Sequence, residues 1–165
     1  MFKLFKTIHY MYFFLRSIWE KNSGNFESSY VFIRKASRFV GPHNAKYYLF
    51  RSYVCILTER IEEGIFSMKQ FCFAYFQSNL FSEYSRMNYH EKIWIEAFAE
   101  YMMFSLTGQR INGFGFNTKF TISEVKQIDF QSVRKHYKRL FPTSLYDGVI
   151  KMYELNSNGA DNSIA

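Results

Sequence analysis

The side chains best suited to chemistry in this chain are cations. Lys3, Lys6, Arg16, Lys21, Arg34, Lys35, Arg38, Lys46 and Arg51 fall within residues 1–58, against two acids, Glu20 and Glu27. That segment carries the whole net charge of +7, because the rest of the chain balances 12 basic side chains with 12 acidic ones. Arg34, Lys35 and Arg38 are close enough to lie on one short helix, with Tyr30, Phe32 and Phe39 beside them. Cations interleaved with aromatic rings suit a phosphate backbone and its bases. A second cationic group, Arg134, Lys135, Lys138 and Arg139, follows Gln131 and Ser132 in the stretch Asp129–Phe141. Arginine and lysine contact phosphates there, and Gln131 and Ser132 have the groups to read base edges.

That second group belongs to a pattern similar to a helix-turn-helix over residues 121–155. Thr121-Ile122-Ser123-Glu124 has the form of a capping box opening a short helix. A tight turn, the basic helix 130–141 and a third helix follow. With Val133 as the buried centre of the second helix, Ile122, Ser123 and Ile128 fall where apolar, small and apolar residues are required. Lys126 falls at a normally apolar position, and Gln127 where the turn usually has Gly.

A third constellation is Arg38-x4-His43. It is similar to the R-x4-6-H spacing of HEPN-type ribonucleases. The resemblance covers six residues. It implies an all-helical protein in which Arg38 and His43 act on an RNA 2′-hydroxyl and the scissile phosphate, often across a dimer. Phe39 stands where that family tends to place a polar residue, and Gly41-Pro42 interrupts the helix that usually holds the motif.

Other chemistry finds no local pattern. No second histidine follows His90-Glu91 at the spacing of a zinc-protease helix. Glu96 and Glu100 share a helix face without a Glu-x-x-His partner. Gly108, Gly113 and Gly115 match neither phosphate-loop nor dinucleotide-binding spacing. His9, His43, His90 and His136 are too dispersed for a metal site. Cys55 and Cys72 are too few for a disulfide framework or a structural zinc site, and both sit in apolar helical patterns as small buried hydrophobes. No cofactor and no metal is expected.

The elements that must position these residues read as helices, because apolar residues recur at three- and four-residue spacing. The hydrophobic content of 48% is ordinary, but Phe (20), Tyr (13) and Trp (2) dominate it. An AT-rich coding sequence favours the Phe and Tyr codons, and large rings then have to pack the core. A first helix is predicted at 3–21, with an apolar stripe of Leu4, Ile8, Met11, Leu15 and Ile18. The second is predicted from Ser28 or Ser29 to Val40, and the third from Ala45 to Glu63, stopped by Gly64. Two more follow at 67–84 and 89–106, the latter with Glu91, Glu96 and Glu100 on its polar side. Short helices at 121–128 and 130–140 precede a last one from Thr143 to about Leu155. Lys3 and Lys6 before Ile8–Leu15 resemble the start of a secretory signal, but the run is short and meets Arg16 without a cleavage site. No stretch approaches the roughly 20 apolar residues of a membrane span.

The expected protein is all-α. It is a single compact bundle of about six to eight helices over residues 1–155, followed by a disordered tail at 156–165. Residues 1–106 form an aromatic-rich scaffold that carries the helix-turn-helix-like unit. The expected function is non-enzymatic DNA binding of regulatory type in the cytoplasm, with no integral membrane association. Duplex DNA is the expected partner of the basic helix 130–141, with Arg34, Lys35 and Arg38 adding phosphate contacts. The alternative is a helical adaptor or subunit, pairing with itself or with an acidic protein. The HEPN-like ribonuclease is the third reading.

Overall fold

Helix-spaced apolar residues, punctuated by Gly24, Gly41-Pro42 and Gly108, fold here into helices. The computed structural model describes residues 2–78, 89–108, 121–128 and 140–161. Among the described residues there are seven helices and no strand, as the sequence predicts: α1 (Phe2–Asn22), α2 (Phe26–Ala36), α3 (Ala45–Leu57), α4 (Ile61–Ser78), α5 (Tyr89–Thr107), α6 (Ile122–Lys126) and α7 (Ser144–Asp161). The backbone gathers into two compact units, residues 1–82 and 83–165.

In the first unit α1 pairs with α2, and α3 pairs with α4. The α1–α2 crossing is held by two fully buried serines. Ser17 Oγ donates to the Ser29 carbonyl at 2.8 Å, and Ser29 Oγ returns a 2.8 Å bond to the Ser17 carbonyl. Small residues at the crossing let the two backbones approach. Aromatic rings then fill the space on either side: Phe13 stacks near Phe32 and Phe39, and Phe14 meets Phe50 edge-on at 5.5 Å. Buried Tyr47 ties α3 to α2 through a 3.0 Å bond to the Ile33 carbonyl. Asn44 caps α3 by accepting from the Tyr47 N–H, and its amide donates to Tyr10 Oη on α1.

This packing turns α1 over. The stripe Leu4, Ile8, Met11 and Leu15 lies between 45% and 65% exposed, while Phe14, Ser17, Glu20 and Lys21 are buried. The serine clasp and the larger rings on the opposite face decide which side meets α2.

The boundary between α3 and α4 also departs from the prediction. α3 ends at Leu57, and Gly64 lies inside α4 rather than ending α3. Glu59 takes the left-handed conformation (φ 57°) usually filled by glycine. The Arg60 N–H then reaches the Cys55 carbonyl at 2.9 Å, and the Glu59 N–H reaches that of Ile56. Thr58 Oγ1 reinforces the stop by donating to the Val54 carbonyl. α2 likewise ends at Ala36, four residues short of Val40, in a turn that Ser37 closes onto the Arg34 carbonyl.

In the second unit α5 is surrounded. Ile93, Trp94, Phe98 and Met102 are buried, as are Val125 of α6 and Val149, Met152 and Tyr153 of α7. Phe98 and Phe141 rings lie 4.5 Å apart. The predicted polar side of α5 is corrected accordingly: Glu91 and Glu96 are 1% and 5% exposed, and Glu100 accepts from Tyr153 Oη at 3.0 Å. The Thr121–Glu124 capping box is present as read. α7 continues to Asp161 where the sequence placed its end at Leu155, so helix replaces the expected tail over 156–161. Extending an existing helix fixes one residue per added hydrogen bond and escapes the nucleation cost.

Candidate nucleic-acid interface

Three of the predicted site residues converge on the C-terminal end of α2. Arg34 and Lys35 lie in its last turn and Arg38 in the turn beyond it, and all three are exposed. Together with Tyr30, Val31 and Ser37 they line an open cleft of about 440 Å³. None of the three makes an ion pair among the described residues. Lys35 Nζ sits 5.4 Å over the Phe32 ring, which leaves its charge facing water.

The acids nearby explain why these cations are unpaired. Glu27 is held by Arg60 in a two-pronged contact at 2.9 and 3.0 Å, and Arg60 Cζ lies over the Tyr30 ring, 3.9 Å from its centre. Glu63 accepts from Tyr30 Oη at 2.6 Å and from Arg51 at 3.2 Å. The Arg60 hydrogen bond holds the Glu27 carboxyl below its usual range, and the Tyr30 and Arg51 bonds do the same for Glu63. Glu20 is tied to Arg16 at 2.9 Å. Glu20, Glu27 and Glu63 are therefore held by Arg16, Arg60 and Arg51, while Glu62, also in the first turn of α4, is exposed. The positive excess stands out on α2.

Chemically, the cleft is equipped to bind rather than to react. Its two hydroxyls are committed, Tyr30 Oη to Glu63 and Ser37 Oγ to the Arg34 carbonyl at 2.6 Å. Burial, with the neighbouring Glu63, pushes the Tyr30 pKa up, away from use as a base. Two guanidinium forks and an ammonium remain, a donor set that matches phosphate oxygens.

Arg38 and His43 lie on the exposed connection between α2 and α3, not on a helix, so the support on which the HEPN spacing relies is missing between them. Gln131, Ser132, Arg134, Lys135, Lys138 and Arg139 lie outside the described residues. The elements on either side of them are described. α6 packs on α7, with Val125 fully buried and Ile128 nearly so. Lys126, at the register position that a helix-turn-helix keeps apolar, instead reaches outward to Glu154 at 2.7 Å.

Sequence reasoning missed the role of Arg51 and Arg60. Neither lies near its acid in sequence (12 and 33 residues away), so no local pattern could reveal which cations would be neutralised. Comparison with protein-family models, curated proteins and solved structures finds no match to this chain.

Proposed function

We propose that this protein is a non-enzymatic nucleic-acid-binding protein that grips a phosphate backbone, most favourably that of duplex DNA, in the cleft formed by Arg34, Lys35 and Arg38. The observation that carries the reading is the pairing pattern: Arg16, Arg60 and Arg51 hold Glu20, Glu27 and Glu63, while three exposed cations around one cleft make no ion pair among the described residues. Each phosphate contact releases about one counterion, so affinity falls steeply with salt. The basic stretch 130–141 supplies the second contact in this reading, with Gln131 and Ser132 reading bases and the whole acting as a regulatory factor.

The test is a fluorescence-anisotropy titration with duplex DNA and with single-stranded RNA at several salt concentrations. Arg34→Ala with Arg38→Ala is expected to weaken binding and lower the salt slope by nearly two, at about 0.9 per lost DNA phosphate contact. Unchanged affinity in that double variant removes α2 from the interface. A parallel Arg134→Ala/Lys138→Ala variant tests the second contact separately. If neither pair changes binding, the reading fails.

A further inference from the structure

A different surface of the first unit carries its own signal. The outward side of α1 is apolar over most of its length. Leu4, Ile8, Met11 and Leu15 are exposed, and Phe5, Tyr12 and Trp19, each seven residues from the next, are exposed beside them. At 100° per residue these side chains, with half-buried Ile18, span an arc of about 140°, wider than the narrow seam of a two-stranded coiled coil. From Leu4 to Trp19 the strip is about 22 Å long.

The charges that border this strip are all of one sign. The Arg16 guanidinium, at one edge, rests 4.4 Å over Trp19 and 5.6 Å over Phe32; Lys6, with Nζ 4.8 Å over the Phe2 ring, lies on the opposite side of the helix. Lys35 extends the border onto α2. The single acid of α1, Glu20, is buried against Arg16 and offers no carboxylate to an incoming surface. No helix among the described residues is long and apolar enough to cross a membrane.

We infer that α1 docks in the plane of an anionic lipid bilayer, with Leu4, Ile8, Met11 and Leu15 in the acyl boundary and the cations at the headgroups. A second copy docking through the same α1 face fits less well, since that face brings the same cations and no exposed acid to receive them. Anionic headgroups complement them. Tyr12 and Trp19, apolar rings with a polar edge, are the residue types that settle at the water–lipid boundary, and Arg16 and Lys35 can extend their charged ends to water while their stems cover apolar surface.

The full chain, mixed with vesicles of phosphatidylcholine alone or phosphatidylcholine with phosphatidylserine, is separated by flotation. Binding is expected to the phosphatidylserine vesicles and to weaken with salt. Met11→Glu with Leu15→Glu should lower partitioning by about tenfold or more while far-UV circular dichroism stays unchanged, since both positions are exposed. Should that pair disturb folding, Met11→Gln with Leu15→Gln provides the same reading. Wild-type protein that stays with the buffer, or variants that float equally well, would overturn the inference. So would a wild-type dimer in analytical ultracentrifugation that the same variants convert to monomer without any vesicle binding. Arg34→Ala/Arg38→Ala should leave flotation within about twofold of wild type, which separates this face from the nucleic-acid cleft.

Discussion

Lys21→Met is expected to stabilise the protein and to remove one feature of its pH profile. Lys21 lies in the last turn of α1, 7% exposed, with Nζ 5.7 Å from the ring centres of both Phe50 and Tyr53. Burial pulls its pKa down from 10.5 to about 8. At 1.36 kcal/mol per pH unit, holding that charge inside the fold costs about 3 kcal/mol. The two rings and the negative end of α1 return about 0.5 kcal/mol or more each, and the other contacts of Lys21 return part of the rest, so a neutral side chain of similar length should gain at most about 1–2 kcal/mol at pH 7. Linkage gives the sign of the pH effect. The unfolded chain keeps the Lys21 proton up to about 10.5 and the folded chain only up to about 8, so between them the unfolded state binds more protons and wild-type stability rises with pH. Buried Cys55 and Cys72 act the other way. Burial pushes their thiols from 9.0 to about 11 and about 12, so above pH 9 the folded state binds more protons and stability falls. Wild-type stability should therefore climb from about pH 8, peak near 9 and then decline, whereas Lys21→Met should stay level up to 9 before declining. Urea denaturation followed by circular dichroism, repeated across this pH range, reads both effects. A Lys21→Met protein that is less stable at pH 7 and keeps the rise above 8 would refute the idea that the ammonium is held at a desolvation cost.

Three further expectations follow from contacts inside each unit. Ser17→Ala and Ser29→Ala should each cost about 1–3 kcal/mol, because each strands a buried partner, while the double variant should cost less than their sum; additivity in the urea midpoints would mean the clasp is not a unit. Asn44→Ala loses both the cap on α3 and the bond to Tyr10, about 1–2 kcal/mol, whereas Asn44→Asp keeps the acceptor for the Tyr47 N–H and should fall between it and wild type in thermal denaturation. A Cβ at Gly148 would stand 2.6 Å from Tyr101 Oη and 2.7 Å from its Cζ. Gly148→Ala should thus destabilise by about 1–3 kcal/mol despite the better helix propensity of alanine, and adding Tyr101→Ala should recover part of the loss. A stabilised single variant would show that α5 and α7 are not packed that closely.

The helical class and most helix positions were legible because they rest on local signals. Gly24 at φ 80° and Gly108 at φ 70° end α1 and α5 where a left-handed residue is needed, and Thr121 with Glu124 closes its box within four residues. The α3–α4 boundary was not legible because its left-handed residue is Glu59, a type that gives no such warning. Nor could periodicity choose the buried face of α1. That helix is apolar on two sides, and the choice between them depends on Ser17 meeting Ser29, a pairing of partners on separate helices. The buried carboxylates of α5 follow the same logic: Glu91 and Glu96 look solvent-facing in sequence, and their burial comes from residues distant along the chain.

The candidate site shows the same division between local and long-range information. The sequence placed the excess charge correctly in the first unit, since counting needs no structure. Which cations remain available is a matter of pairing across 12 and 33 residues, and it decides the chemistry. Were Glu27 and Glu63 turned toward Arg34 and Arg38, the same composition would leave only Lys35 uncompensated among the three cleft cations. Arg60, bent back over Tyr30 by the Glu59 turn, holds Glu27 in place and keeps that from happening. The backbone feature that sequence reading missed is thus the one that leaves α2 positively charged. Glu59→Gly should preserve the turn and the cleft, whereas Arg60→Ala should release Glu27 and lower nucleic-acid affinity without removing any cation from the cleft itself. Equal affinity in Arg60→Ala and wild type, measured by the same anisotropy titration, would show that the pairing of Glu27 has no bearing on the cleft.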